Sequence, residues 1–255
     1  MKTHRTIDPA RVHKILATEV FVTDVEVGGE TSPYATVFVP SSHHRMSGQS
    51  RVPLVVIVEA LRQAGMAYNT HAPDAVSHVY ILDRIAVTLT GEPPMIDPDV
   101  GFRQRVDLEP EYLSASHART CLVVENVCTS VFDYRRTDPR VYARLRGEHK
   151  ACEMNSRHDP LIIHSMNAEG EPVFLLGWDT DDTMIFDHPV DHVPAIALID
   201  AALAVHELAN DSPPLSVDAQ FLGYLNMIDP ITITVDAGST LFNQGSHLGA
   251  RIMVR

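Results

Sequence analysis

The chain has 255 residues, 45% of them hydrophobic, and a formal net charge of −13. That length suits one large domain or two small ones, the apolar fraction is ample for a core, and the acidic balance argues against nucleic acid, which wants a basic surface. The three cysteines, Cys121, Cys128 and Cys152, form no CxxC pair and read as small buried residues in a reducing compartment.

The start, Met1 to Pro9, lacks the apolar segment of a signal peptide. No run approaches the length of a membrane helix, so a soluble cytoplasmic protein with no membrane contact is expected. A short helix is expected over Pro9 to Leu16, packing across the first half. Glu19 to Val27 alternates and ends at Gly28-Gly29, which predicts a strand and a turn. Tyr34 to Val39, stopped by Pro40, completes a hairpin. A polar loop from Ser41 to Arg51 carries His43 and His44.

The loop leads into the stretch on which the chain is organised, Arg51-Val52-Pro53-Leu54-Val55-Val56-Ile57-Val58-Glu59-Ala60-Leu61-Arg62-Gln63-Ala64-Gly65. The β-branched run would suit a strand. Pro53 at the first turn and the helix formers from Ala60 to Tyr68 predict a helix instead. On it Glu59, Arg62 and Gln63 share one face. A carboxylate, a guanidinium and an amide on an otherwise apolar element each need a partner or a substrate.

Val76 to Leu89 reads as a strand pair or one long bent strand. Glu92-Pro93-Pro94 is a turn, and Gly101 to Leu108 and Thr120 to Phe132 alternate. The first half is therefore expected as strand-strand-helix-strand-strand-strand. Asp133 to Lys150 reads as a basic connector, with Arg135, Arg136, Arg140, Arg144, Arg146 and Lys150 against Asp138 and Glu148. It is either a solvated link or a dock for an acidic partner.

The central stretch then returns as His192-Val193-Pro194-Ala195-Ile196-Ala197-Leu198-Ile199-Asp200-Ala201-Ala202-Leu203-Ala204. Val193-Pro194 matches Val52-Pro53, and Asp200 stands where Glu59 does. A repeat of this length predicts two copies of one half-domain. Around a second helix ending near Asn210, strands are expected at Val173 to Trp178, Thr183 to Phe186, Val217 to Leu225, Ile231 to Ala237 and Gly249 to Val254. The pattern is α+β, a long helix embedded in an antiparallel sheet, twice.

Two strings carry a family resemblance: Asp187-His188-Pro189-Val190-Asp191-His192-Val193-Pro194, and Glu59-Ala60-Leu61-Arg62-Gln63-Ala64 in the first half. With Val141-Tyr142-Ala143-Arg144-Leu145-Arg146-Gly147, they resemble the A-factor biosynthesis hotdog family of actinomycetes. The resemblance implies a tandem double hotdog, with residues 1–150 as the first half and 151–255 as the second. It also implies acyl-carrier chemistry in γ-butyrolactone or furan autoregulator biosynthesis. In that reaction a β-ketoacyl group passes from acyl carrier protein, or a coenzyme A thioester, to dihydroxyacetone phosphate. The family's second helix carries Glu-x-x-Arg-Gln; this chain has Asp200, Leu203 and Ala204 there, and leucine cannot hold a phosphate.

The residues admit matching roles. His188, Asp191 and His192 could do general acid-base work near neutral pH; the alternative has Asp191 cap the helix. Glu59 would pair with His188 or His192, its pKa raised by an apolar cleft so that it serves as an acid. Otherwise it pairs with Arg62, one turn along. Arg62 and Gln63, with Arg51, are candidates to hold a phosphate or a thioester carbonyl. A mirror-related set would be His43 or His44 with Asp200. The His188–His192 spacing could also suggest metal ligands, but no HxxxH lies on a helix and no cysteine is near, so no metal is expected; no serine-nucleophile motif occurs, and no cofactor is expected. Dehydratase, thioesterase and non-catalytic acyl-binding readings stand as rivals, as do a monomer and a homodimer.

Overall fold

The computed structural model describes residues 6–27, 32–71, 79–114, 116–146, 161–166, 170 and 172–255. The chain falls into two compact units, Met1–Gly147 and Glu148–Arg255.

The first unit holds β1 (Val22–Glu26), β2 (Tyr34–Val39), α1 (Leu54–His71), β3 (Val79–Leu89), β4 (Phe102–Tyr112), β5 (His117–Val124), β6 (Cys128–Thr137) and α2 (Pro139–Arg146). Its strands lie in the order β1-β2-β4-β5-β6-β3, every pairing antiparallel. α1 packs against β1, β2, β4, β5 and β6. It starts where the sequence places it, with the Pro53 carbonyl accepting from the amides of Val56 and Ile57 at 3.0 and 3.2 Å. Every residue from Leu54 to Leu61 is buried. That burial outweighs the strand propensity of the β-branched run, because a helix inside a protein draws most of its stability from packing.

The second unit holds β7 (Leu161–Met166), β8 (Pro172–Leu176), α3 (Ala195–Ala209), β9 (Ser216–Phe221), β10 (Thr232–Asp236), β11 (Ser239–Gln244) and β12 (His247–Val254). Its order is β7-β8-β10-β11-β12-β9, again antiparallel. Counted within each unit, both sheets run first, second, fourth, fifth, sixth, third.

Several expectations are corrected. Thr120 to Phe132 is a hairpin and not one strand. Val127 N–H closes on Val124 O at 3.0 Å, and Asn126 takes φ 59°, a left-handed conformation that asparagine tolerates better than most residues. Thr183 to Phe186 is a turn and not a strand. Asp182 accepts from Met184 N–H through its side chain and from Ile185 and Phe186 N–H through its carbonyl. The supposed connector begins inside β6 and continues as α2. Arg135 is not a free cation there, since it holds Asp83 at 2.8 Å. Lys150, Glu148 and Cys152 lie outside the described residues. β7 and β11 were not foreseen. β11 follows a tight turn in which Ala237 and Gly238 take φ 47° and 77°.

Candidate functional site

Two polar clusters stand out, one in each unit. The first is built on α1. Glu59 is completely buried and is gripped from two sides by Arg62, with Nε 2.6 Å from Oε2 and Nη2 2.8 Å from Oε1. Lys14 Nζ lies 3.4 Å from Oε1, and Gln63 donates to the same oxygen at 2.8 Å. Burial alone pushes the carboxyl upward. The charges of Arg62 and Lys14 and the two side-chain hydrogen bonds outweigh it, and hold the pKa down at about 2. The expected raised pKa is therefore corrected: Glu59 is an ionised anchor at neutral pH, because its cleft is lined by cations and not by apolar groups alone.

Gln63 is equally committed. Its Oε1 accepts from Phe21 N–H at 2.8 Å, and its Nε2 donates to Glu19 O at 2.8 Å as well as to Glu59. It ties α1 to the segment entering β1. Arg62 also reaches Val12 O at 3.3 Å. Arg51 donates to Pro93 O at 2.6 Å and pairs with Glu92, which pins the loop before α1 to the 92–95 turn.

Beside this network His43 Nε2 meets Glu19 Oε2 at 3.0 Å, with both side chains buried. The Arg45 amide donates to His43 Nδ1 at 3.3 Å, so the neutral ring carries its proton on Nε2 and gives it to Glu19. Exposed His44 lies against it, ring centroids 4.3 Å apart. Ligand atoms of Glu19, His43 and His44 fall within 4.8 Å of one another, close enough to suggest a divalent cation. The chemistry does not fit one well. A metal at Nε2 needs that proton removed while Nδ1 still accepts from the backbone.

The second cluster precedes α3. His188 Nδ1 meets Asp187 Oδ1 at 2.6 Å, and His192 Nδ1 meets Asp191 Oδ1 at 2.7 Å. Each carboxylate accepts, so each neutral ring keeps its proton on Nδ1 and presents a basic Nε2. Both imidazoles are about one-third exposed, and the His192 ring lies 4.8 Å from that of Tyr224. Asp191 is thus an orienting carboxylate and does not cap α3, whose N-cap is Pro194 without a side-chain bond. Asp200 is half-buried on α3, and the positions matching Arg62 and Gln63 are Leu203, which is buried, and Ala204.

Asp187, Lys14 and Glu19 escaped the sequence reading. Asp187 had a signal, standing to His188 as Asp191 does to His192. Lys14 and Glu19 had none, because only the folding of the N-terminal segment over α1 brings them to Glu59 and His43.

This architecture has known counterparts. An acyl-ACP thioesterase from Bacteroides thetaiotaomicron superposes with a TM-score of 0.56 at 13% identity, over 87% of this chain and 96% of that one. The 12:0-ACP thioesterase from Umbellularia californica gives 0.54 at 10% identity, over 87% and 92%. HtdX of Mycobacterium tuberculosis gives 0.50 at 14% identity, over 98% and 96%. At such identities the likeness is one of fold. No curated protein matches the sequence. Residues 1–90, the stretch containing Glu19, His43 and the Glu59-Arg62-Gln63 face, match the A-factor biosynthesis hotdog domain, the family that the helix motif resembles.

Proposed function

We propose that the protein is an acyltransferase that joins a β-ketoacyl group from acyl carrier protein to the hydroxyl of dihydroxyacetone phosphate, on two hotdog halves in tandem. The observation that carries this reading is the pair of aspartate-oriented histidines before α3. Ester formation needs a base for the attacking hydroxyl near neutral pH, and an imidazole with Nδ1 held by a carboxylate supplies it at Nε2. The hydroxyl oxygen bonds to the thioester carbonyl carbon, the carbon–sulfur bond breaks, and the histidine returns its proton to the departing thiol. His188 or His192 serves as this base, with Asp187 and Asp191 as positioning residues. Glu59, Arg62 and Gln63 anchor α1 to the N-terminal segment within the first unit. The identical strand order of the two units supports the tandem reading.

A thioesterase or dehydratase is the second reading, favoured by Leu203 and Ala204 in place of the family's Arg-Gln. Mass spectrometry of a β-ketoacyl carrier protein incubated with the enzyme, with and without dihydroxyacetone phosphate, separates them. Release that depends on the phosphotriose, yields its ester and is lost in His188→Gln or His192→Gln is expected. Hydrolysis or water loss regardless of phosphotriose would replace the transferase with the second reading. No reaction in either tube would leave a non-catalytic acyl-binding protein.

A further inference from the structure

Beyond Arg62 the polar face of α1 continues into a place where two buried groups have no partner among the described residues. Tyr134, on β6, is 3% exposed and its hydroxyl makes no hydrogen bond; Asn69, 5% exposed, has an unpartnered amide nitrogen. They belong to one neighbourhood. A Cβ built on Gly65 would lie 2.8 Å from the Tyr134 hydroxyl oxygen, so the phenol reaches α1 at the residue that lacks a side chain. Arg62 stands one turn before that point and Asn69 one turn after it, on the same face. The positive field of Arg62 is felt at the phenol, where it opposes in part the strong upward push of burial.

Aromatic and aliphatic side chains adjoin the two groups. The Phe132 ring stacks on Tyr134 at 6.4 Å and the Tyr80 ring meets it edge-on at 6.1 Å, while Leu61, Ala64 and Tyr68 of α1 are buried. Native proteins rarely leave buried donors unmade, because each costs its full desolvation without return. A phenol hydroxyl and an amide NH₂ within an apolar lining match an acyl chain that carries one acceptor oxygen.

We propose that Tyr134 and Asn69 receive the 3-oxo oxygen of the β-ketoacyl chain, and so select it over a plain acyl chain. The inference rests on the acyl-transfer reading above and names a specificity determinant for it. Tyr134 donates its hydroxyl proton to the oxo oxygen and Asn69 donates from its amide. Gly65 is required because a side chain there would take the place of the hydroxyl. No covalent step is involved.

The test uses two stable pantetheine amides of equal chain length, one 3-oxoacyl and one plain acyl, titrated calorimetrically into the full chain. The wild type is expected to bind the 3-oxo compound roughly tenfold more tightly, the worth of a typical buried hydrogen bond or two. Tyr134→Phe, which keeps the ring, abolishes that preference and leaves the affinity for the plain amide unchanged. Asn69→Ala reduces it. Tyr134→Phe should melt no lower than the wild type, since the hydroxyl it removes has no protein partner. Equal binding of both amides by the wild type, or a preference that survives Tyr134→Phe, would overturn the proposal. The hydroxyl would then hold an ordered water only, and the acyl-transfer reading would stand. If the wild type bound neither amide, the acyl reading would fail and this proposal with it.

Discussion

Glu59 is fully buried and still ionised, and that combination fixes what its removal does. Glu59→Gln keeps the shape but leaves the Arg62 and Lys14 charges without their counter-ion. Losing one partner of a buried ion pair costs about 3–5 kcal/mol. We expect a loss of that size in urea denaturation, partly recovered when Arg62→Gln is added, since the two residues share one interaction and their effects do not add. The same carboxyl sets an acid limit. Its folded pKa of about 2 lies below the ordinary 4.5, so its contribution is fully present above about pH 4.5 and is lost as the pH falls toward 2. The sign follows from the unfolded state binding the proton more readily in that window. The contribution is on the order of 3 kcal/mol. Denaturation midpoints followed down this range should fall more steeply for the wild type than for Glu59→Gln; parallel curves would mean that Glu59 is not held ionised.

At the scale of the element, α1 was legible because its polar residues sit at helical spacing and its start is marked by Pro53. What they do was less legible. Glu59, Arg62 and Gln63 looked like groups awaiting substrate, yet Lys14, Glu19 and Phe21 satisfy much of them, and those residues are distant in sequence with no pattern to tie them to the helix. α3 was equally legible as a helix, and its apolar Leu203 and Ala204 foretold that no Arg-Gln pair stands beside Asp200. β11 lies between the strands expected at 231–237 and 249–254, and two-residue turns join it to β10 and β12, so its short run carries little pattern of its own. One glycine on α1 gives a further prediction. Alanine in place of Gly65 favours the helix by about 1 kcal/mol, but its Cβ would meet the Tyr134 hydroxyl oxygen at 2.8 Å. Gly65→Ala should therefore lower the melting temperature of the wild type and raise it in a Tyr134→Phe background. A gain in both backgrounds would show that the hydroxyl moves aside freely.

Across the whole molecule the two units share a strand order and differ in chemistry. The first has Arg62, Gln63 and His43 tied into internal bonds around Glu59 and Glu19. The second has Leu203 and Ala204 where Arg62 and Gln63 would stand, and carries two histidines about one-third exposed, each oriented by the residue before it. A duplicated fold whose halves have diverged in this way needs only one reactive centre, and the oriented histidines put it in the second unit. One acyl group per chain is therefore expected. Native mass spectrometry with the plain acyl amide should find a single bound equivalent at saturation, and His188→Gln or His192→Gln should lower turnover by about two to four powers of ten, as loss of a general base does. Their melting temperatures should move little, because both rings are partly in solvent and neither lies in the core. Two equivalents per chain would mean that both halves bind acyl groups. The asymmetry between Arg62 and Leu203 would then set which acyl group each half takes, and not whether it binds one.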